Sequence, residues 1–449
     1  MDERGRAVAR AVAAGVIGVL ATAAAWYRLG PVTRSTVWAE DGGVFLRERL
    51  ALGPWDLLQP YAGYLHLVPR LVVDLAAALP VDRYAHVVSA VSCAVVGTVA
   101  ALVFVLARDV VRPVAVRVLL AAVPVLLPLA PYEISGNAAN LHWYLLFLAP
   151  WLYVARPRSW WSAGPLAVVT ALVVLSEPQT VLFLPLLLLA WFPRRRDGTA
   201  RLALPVTVVA LLGSAAQAVT ALVTERVSRP GSPAPSDVLA GYLLQPVAGA
   251  WDPDVGAAVG AVLDHGWAVL LVPAAALLVL LAAAVVVGPL RARWMVVALA
   301  GASIAVWTAA LVANGSAGQP WSTPSPAMTG LPPQRYAAAA GMLLLGSVVV
   351  AAGALVDGAR WSLRGARRGP RWARVAGALA GGCLVLLVVL AGVRAAGPQE
   401  TRRSDGPVWA AQIPAAVAAC RADPTLVEVD VRTAPWSAQV PCTMLVGLP

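Results

Sequence analysis

Long apolar stretches recur along the chain, separated by short polar segments. A membrane crossing needs about 20 apolar residues, and on that rule about eleven spans are expected. They lie near 10–27, 84–107, 114–131, 141–155, 161–176, 179–192, 202–222, 267–288, 294–313, 336–356 and 375–393. The first follows Arg4, Arg6 and Arg10 as a signal peptide would. No small-residue cleavage site with a soluble domain behind it is found, so it reads as a retained span. The first gap, residues 28–83, is too long for a plain connector. Within it, 43–50 and 70–79 have helical spacing, with Pro69 at a helix start and Pro80 at a stop. They read as short amphipathic helices lying on a membrane surface. Residues 1–393 thus form an all-α polytopic transmembrane module, and 394–449 a small tail. In the tail Val427–Arg432 alternates apolar and polar residues, a strand signal.

Composition agrees. Of 449 residues, 59% are hydrophobic and 13% charged, against about 25% charged in soluble domains. Every basic residue is arginine, as in a GC-rich bacterial genome. The net charge of +11 invites a nucleic-acid reading, but its distribution answers it. With the N-terminus inside and strict alternation, 20 of the 34 arginines and only 5 of the 23 acids fall on inner segments. That is the asymmetry expected of a multi-pass plasma-membrane protein with a cytoplasmic N-terminus and an extracytoplasmic C-terminus. No nucleic-acid partner is needed. If the tail lies outside, Cys420 and Cys442 are placed to form a disulfide, although spacing by itself does not fix pairing.

The candidate chemistry lies in the outer segments. Trp38-Ala39-Glu40-Asp41-Gly42-Gly43 sets two adjacent carboxylates just beyond the first span. A second cluster holds Tyr61, Tyr64, His66, Arg70 and Asp74. The next outer loop carries Glu133, Asn137, Asn140 and His142, a possible polar cavity. A third is the turn Ser176-Glu177-Pro178-Gln179, where Glu177 reads as a solvated loop acid. The fifth, 314–335, is rich in Pro, Gly and Ser and ends in Arg335-Tyr336, a flexible loop able to close over an anion. A carboxylate at a low-dielectric surface can act as general base toward a hydroxyl. Structural alternatives stand beside each reading. Glu40 or Asp41 can cap the helix starting near Gly43, Arg70 can pair with Asp74 or Asp41, Arg335 can snorkel, and His66 can be a satisfied interfacial residue. No metal motif, catalytic triad or phosphate loop is present. A divalent cation remains possible at the carboxylates, with too few ligands to assign one.

This layout resembles the GT-C class of polytopic glycosyltransferases. Glu40-Asp41 stands where that class carries an acidic motif, and 43–50 with 70–79 stand where it carries surface helices. The resemblance implies transfer of a sugar from a polyprenyl-phosphate carrier to an envelope glycan or lipid acceptor, on the outer face of the membrane and by inverting displacement. It makes Asp41 the base, with Glu40 second, and Arg335 or Arg70 the phosphate ligand. His66 is a weaker phosphate candidate, with Tyr64 and Tyr336 beside it. A transporter or flippase of a lipid-linked precursor and a non-catalytic membrane subunit are the competing expectations.

Overall fold

Apolar segments without access to water close their backbone hydrogen bonds on themselves, and the chain is accordingly helical almost throughout. The computed structural model describes residues 3–192, 199–226, 228–361 and 371–446. The inner arginines Arg194, Arg195, Arg196, Arg364, Arg367 and Arg368 lie outside the described residues.

In chain order the helices begin with α1 (Glu3–Arg34), α2 (Arg47–Leu52), α3 (Leu67–Ala77), α4 (Tyr84–Leu106), α5 (Val114–Leu126) and α6 (Ala130–Glu133). Then come α7 (Leu141–Val154), α8 (Trp160–Val174), α9 (Leu188–Trp191), α10 (Leu204–Val223), α11 (Pro235–Tyr242) and α12 (Val255–His265). The last are α13 (Ala268–Val287), α14 (Leu290–Ala313), α15 (Arg335–Trp361), α16 (Arg371–Arg394), α17 (Trp409–Ala422) and α18 (Cys442–Val446).

Among the described residues, 7 stretches are long and apolar enough to cross a membrane: Val8–Arg34, Val81–Asp109, Ala200–Val223, Ala268–Val287, Leu290–Ala313, Arg335–Asp357 and Val375–Arg394. The protein is an all-α membrane protein with one small hairpin in its tail. The other four expected spans, between 114 and 192, are shorter apolar helices. Proline bounds the first and the last of them. Pro128 and Pro131 follow the end of α5, and Pro178 and Pro185 confine 178–187 to a 3₁₀ helix leading into α9. Each proline removes a backbone donor and crowds the preceding turn.

The middle of the bundle is α15, whose apolar window is 94% buried. It packs against α14, α16, α13 and α5. Its Ala- and Gly-rich sequence lets neighbours approach closely, the usual means of helix association where no water drives it. The α1–α4 pair uses the same device. A Cβ on Gly97 would stand 2.0 Å from Thr22 Oγ1 and 2.5 Å from the Gly18 carbonyl oxygen.

The polar helix ends sort into two sets. In one, Arg291 lies 3.9 Å from Asp109 and donates to the Leu189 carbonyl at 2.6 Å. Arg156 donates to that carbonyl at 3.0 Å and also to the carbonyl of Phe192. The other set holds the end of α1 and the starts of α4, α7 and α15. Segments assigned to one side by charge alternation therefore meet one another. Each of the four short stretches, α5–α6, α7, α8 and 178–191, begins in one set and ends in the other.

The long loop after α1 forms helices close to those expected. A π-helical turn, Asp41–Leu46, runs into α2, and α3 covers Leu67–Ala77 rather than 70–79. Leu50, Leu52, Trp55, Leu58, Leu71 and Leu75 remain exposed on this unit, as suits a surface lying against lipid.

The tail does not stand apart. Its hairpin pairs β1 (Glu428–Arg432) with β2 (Ser437–Pro441), antiparallel, and Cys420 is bonded to Cys442. Trp409 of α17 donates from its indole to the Val81 carbonyl at 2.6 Å and packs on Tyr84. Ala434 exchanges backbone hydrogen bonds with Val37 and Ala39 at 2.9 and 3.0 Å, so the tail extends the chain just ahead of Glu40.

Candidate functional site

Asp41 is wholly buried. Its two carboxylate oxygens accept the Ala139 and Ala138 backbone N–H groups at 2.8 and 2.9 Å. The Tyr84 hydroxyl donates to its carbonyl at 2.7 Å. Burial pushes its carboxyl up to about 7, against the pull of the two N–H groups and of nearby Arg403. Asp41 is thus a clasp between the first and second outer loops. Each oxygen is engaged and the carboxylate is shielded from water, so the geometry does not favour Asp41 as the leading base. Glu40, at the N-terminal boundary of the π-turn, makes no side-chain cap, so the capping alternative also fails. Arg403 fastens the same corner, donating to the Thr36 and Ser135 carbonyls at 3.0 and 2.7 Å from a buried position.

Glu40 points the other way. Its Oε1 lies 3.5 Å from Arg335, and its buried Oε2 has no hydrogen-bond partner. An unpartnered carboxylate oxygen shielded from water is costly to keep. Beside it, Glu133 Oε1 lies 3.6 Å from Arg335 and 3.4 Å from Arg402. Burial raises the Glu133 carboxyl, and the two guanidinium groups hold it down in part. Two carboxylates and two arginines thus meet at one spot with charges that cancel. The arginines reach outward, with side chains 34% and 43% exposed.

Aromatic rings carry the site inward. Arg335 lies over Tyr336 at 5.2 Å and donates to its hydroxyl at 3.2 Å. Tyr336 meets Trp143 edge-on at 6.0 Å, and Trp143 leans on His142 at 4.2 Å. Tyr64 stacks on His66 at 4.0 Å and faces His142 at 5.9 Å, while Tyr61 closes on His66 at 5.5 Å. The strand of chain bearing Tyr64 and His66 is fixed by Gln217 of α10. That amide accepts from Leu65 N at 2.9 Å and donates to the Leu65 and Val174 carbonyls. Burial, with His142 nearby, drives the His66 imidazole well below its ordinary range, and its Nδ1 bonds the Tyr64 carbonyl.

Several expectations need correction. Arg70 pairs with neither Asp74 nor Asp41. It is fully buried, 2.6 Å from Glu48 and 3.7 Å from Asp56, with its guanidinium over Phe45. Asp74 pairs instead with Arg49 at 3.1 Å. Asn137 and Asn140 are buried and spend their side chains within their own loop. Asn137 donates to the Glu133 carbonyl at 2.8 Å and accepts twice from Asn140, and these bonds shape the loop that presents Ala138 and Ala139 to Asp41. The loop before Arg335 is anchored rather than free. Ser322 donates twice to Asp237, Gln334 N bonds Gln245, and Trp321 is buried.

Two residues of the site escaped notice in the sequence, and a third was misread. Arg402 and Arg403 stand side by side in an otherwise unremarkable tail, and their doubled charge was the available signal. Glu177 read as a solvated acid but is 1% exposed and bonded to His142 Nδ1. A carboxylate in a four-residue turn between two apolar helices has little access to water, which was the clue. Among the described residues no group of three His, Cys, Asp or Glu side chains is arranged to hold a metal ion. Comparison with protein-family models, curated proteins and solved structures finds no match to the chain.

Proposed function

We propose that the chain is an integral-membrane glycosyltransferase of GT-C type. It takes a sugar from a polyprenyl-phosphate carrier and passes it to a hydroxyl of an envelope glycan or lipid. In this reading all eleven apolar stretches cross the plasma membrane, the four short ones thinning or tilting locally. The N-terminus is cytoplasmic, and the carboxylate–arginine cluster and tail are extracytoplasmic. Sorting of the helix ends into two polar sets supports the eleven crossings, and arginine bias supports the direction.

The observation that carries the reading is the Glu40 carboxylate. It is buried, has one oxygen without a partner, is braced by Arg335, and lies at the membrane edge where a lipid-linked substrate and a polar acceptor can both arrive. Glu40 Oε2 accepts the acceptor's proton as the hydroxyl oxygen attacks the anomeric carbon. The bond from that carbon to the phosphate oxygen breaks, and configuration inverts. Arg335 aligns Glu40, and the outward guanidinium groups of Arg335 and Arg402 offer hydrogen-bond donors to an anionic carrier. Asp41 keeps the two loops in register. The aromatic side chains Tyr61, Tyr64, Trp143 and Tyr336 offer flat faces for a sugar ring. Transport of a lipid-linked precursor needs no proton acceptor, and no observed feature favours it.

The test is Glu40→Gln in cells lacking the native gene, with membrane abundance measured alongside. Transfer is expected to fall by about 10²–10⁴-fold, the usual contribution of a positioned base. Full restoration of envelope glycan by this variant would remove Glu40 from the chemistry and the reading with it.

A further inference from the structure

We infer that His142, oriented by Glu177, is the group that donates a proton to the departing carrier phosphate. This rests on the transfer reading above.

Glu177 is a buried carboxylate with both oxygens assigned. Oε1 accepts Gln179 N–H at 2.7 Å at the start of the 3₁₀ helix Pro178–Leu187, and Oε2 holds His142 Nδ1. The imidazole is therefore fixed in orientation, with Nδ1–H on the carboxylate. Its Nε2 makes no hydrogen bond within the described residues. Burying a carboxylate and an imidazole together gains little stability, because desolvation offsets their attraction. Helix capping explains one oxygen of Glu177 and leaves the other, and the free Nε2, unexplained. The groups facing His142 are Tyr64 and His66 from the first loop, Trp143 from its own helix and Glu177 from the turn. His66 Nδ1 is held by a backbone carbonyl, whereas His142 Nδ1 is held by a carboxylate, so the two imidazoles differ in their partners.

The geometry of displacement selects its role. In an inverting substitution the attacking and leaving oxygens lie on opposite faces of the anomeric carbon. Acid and base in inverting glycoside chemistry stand about 6.5–9.5 Å apart for that reason. Arg335 lies 3.5 Å from Glu40, hence on the side of the base, and its charge is already matched by Glu40 and Glu133. Ring contacts run from Arg335 over Tyr336 at 5.2 Å, on to Trp143 at 6.0 Å and to His142 at 4.2 Å, so His142 stands at the other end of the aromatic series from Arg335, and we set the leaving oxygen there. The balance is closed. The acceptor oxygen bonds to the anomeric carbon and its proton goes to Glu40 Oε2. The carbon–oxygen bond breaks with its electron pair on the phosphate oxygen, and that oxygen takes the proton of His142 Nε2. Glu40 and His142 are reset by proton exchange with water. Glu177 acts through His142 as a positioning residue.

The experiment uses the full chain in nanodiscs with radiolabelled polyprenyl-phosphate-linked hexoses and an envelope-glycan acceptor. It reads polyprenyl phosphate release over about pH 3 to 9, a range that spans the ordinary carboxylate and imidazole values. Wild type is expected to give a bell. His142→Gln is expected to lose about 10²-fold in kcat with little change in KM, and to lose the alkaline limb. Glu177→Gln is expected to move that limb to lower pH, because the imidazolium loses its carboxylate. If His142→Gln fails to accumulate, the Glu177→Gln limb decides. An unmoved alkaline limb in an active Glu177→Gln enzyme overturns the assignment of His142 and leaves the transfer reading standing. Release from none of the donors by wild type overturns both.

Discussion

The packing of the tail on the acidic turn yields a quantitative prediction at Gly42. A Cβ there would meet Thr433 Cγ2 at 2.7 Å, and Ala438 Cβ and Val37 Cγ1 at 3.1 Å each. The three neighbours come from the tail and from the chain ahead of Glu40, so no single rotamer change relieves them. Overpacking of this kind costs about 1–3 kcal/mol. Gly42 lies in a helical turn, where alanine regains about 0.5–1 kcal/mol. Gly42→Ala should therefore destabilise by about 1–2 kcal/mol. The nearest contact is a methyl group, and Thr433→Ser deletes that methyl alone. The double variant should recover most of the loss, giving a coupling of about 1 kcal/mol, within the range for residues in contact. Denaturant unfolding in mixed micelles, run on wild type, both single variants and the double variant, measures the cycle. Additive effects, or a neutral Gly42→Ala, would mean that the tail does not press on the acidic turn, and its part in fixing Glu40 would fall.

Asp41→Asn should lower stability by about 1–3 kcal/mol rather than act on chemistry, since one of two buried N–H groups loses its acceptor. Burial sets the folded Asp41 near 7, above its ordinary 3.8. The proton therefore favours the fold, and wild-type stability should decline as pH rises from about 4 through 7, while Asp41→Asn gives a flatter curve by thermal melting. Arg70→Met strips the partner from buried Asp56 and should cost about 3–5 kcal/mol, read by membrane abundance and unfolding, with no specific loss of carrier binding. Replacing Cys420 and Cys442 by serine opens a loop of 22 residues' separation. It should cost about 3 kcal/mol by the chain-entropy relation, read by unfolding with and without reductant.

Much of the architecture was open to reading in the sequence because a bilayer imposes long apolar runs and a one-sided arginine distribution. Spans such as Leu290–Ala313 declare themselves by length. The short helices between 114 and 192 were visible as apolar stretches, yet their real extents depend on Pro128, Pro131, Pro178 and Pro185. The hairpin was visible as alternation at Val427–Arg432. Partnership was harder. Glu40 and Asp41 are neighbours of like charge, and nothing in their order says which is a clasp and which is free. Backbone N–H groups of Ala138 and Ala139 make that choice, and backbone donors are the same in every residue but proline.

The sequence by itself determined that this is a helical membrane protein and roughly where its apolar helices run. Those properties follow from composition along the chain, which solvation reads locally. Only the tertiary structure decided that Arg70 is buried against Glu48 and Asp56, that Arg402 comes from the far end of the chain to Glu133, and that Glu177 is bound to His142. Each of these is a contact between residues from separate segments of the chain. Their energies depend on distance and on shielding from water, quantities that exist only once the helices have packed.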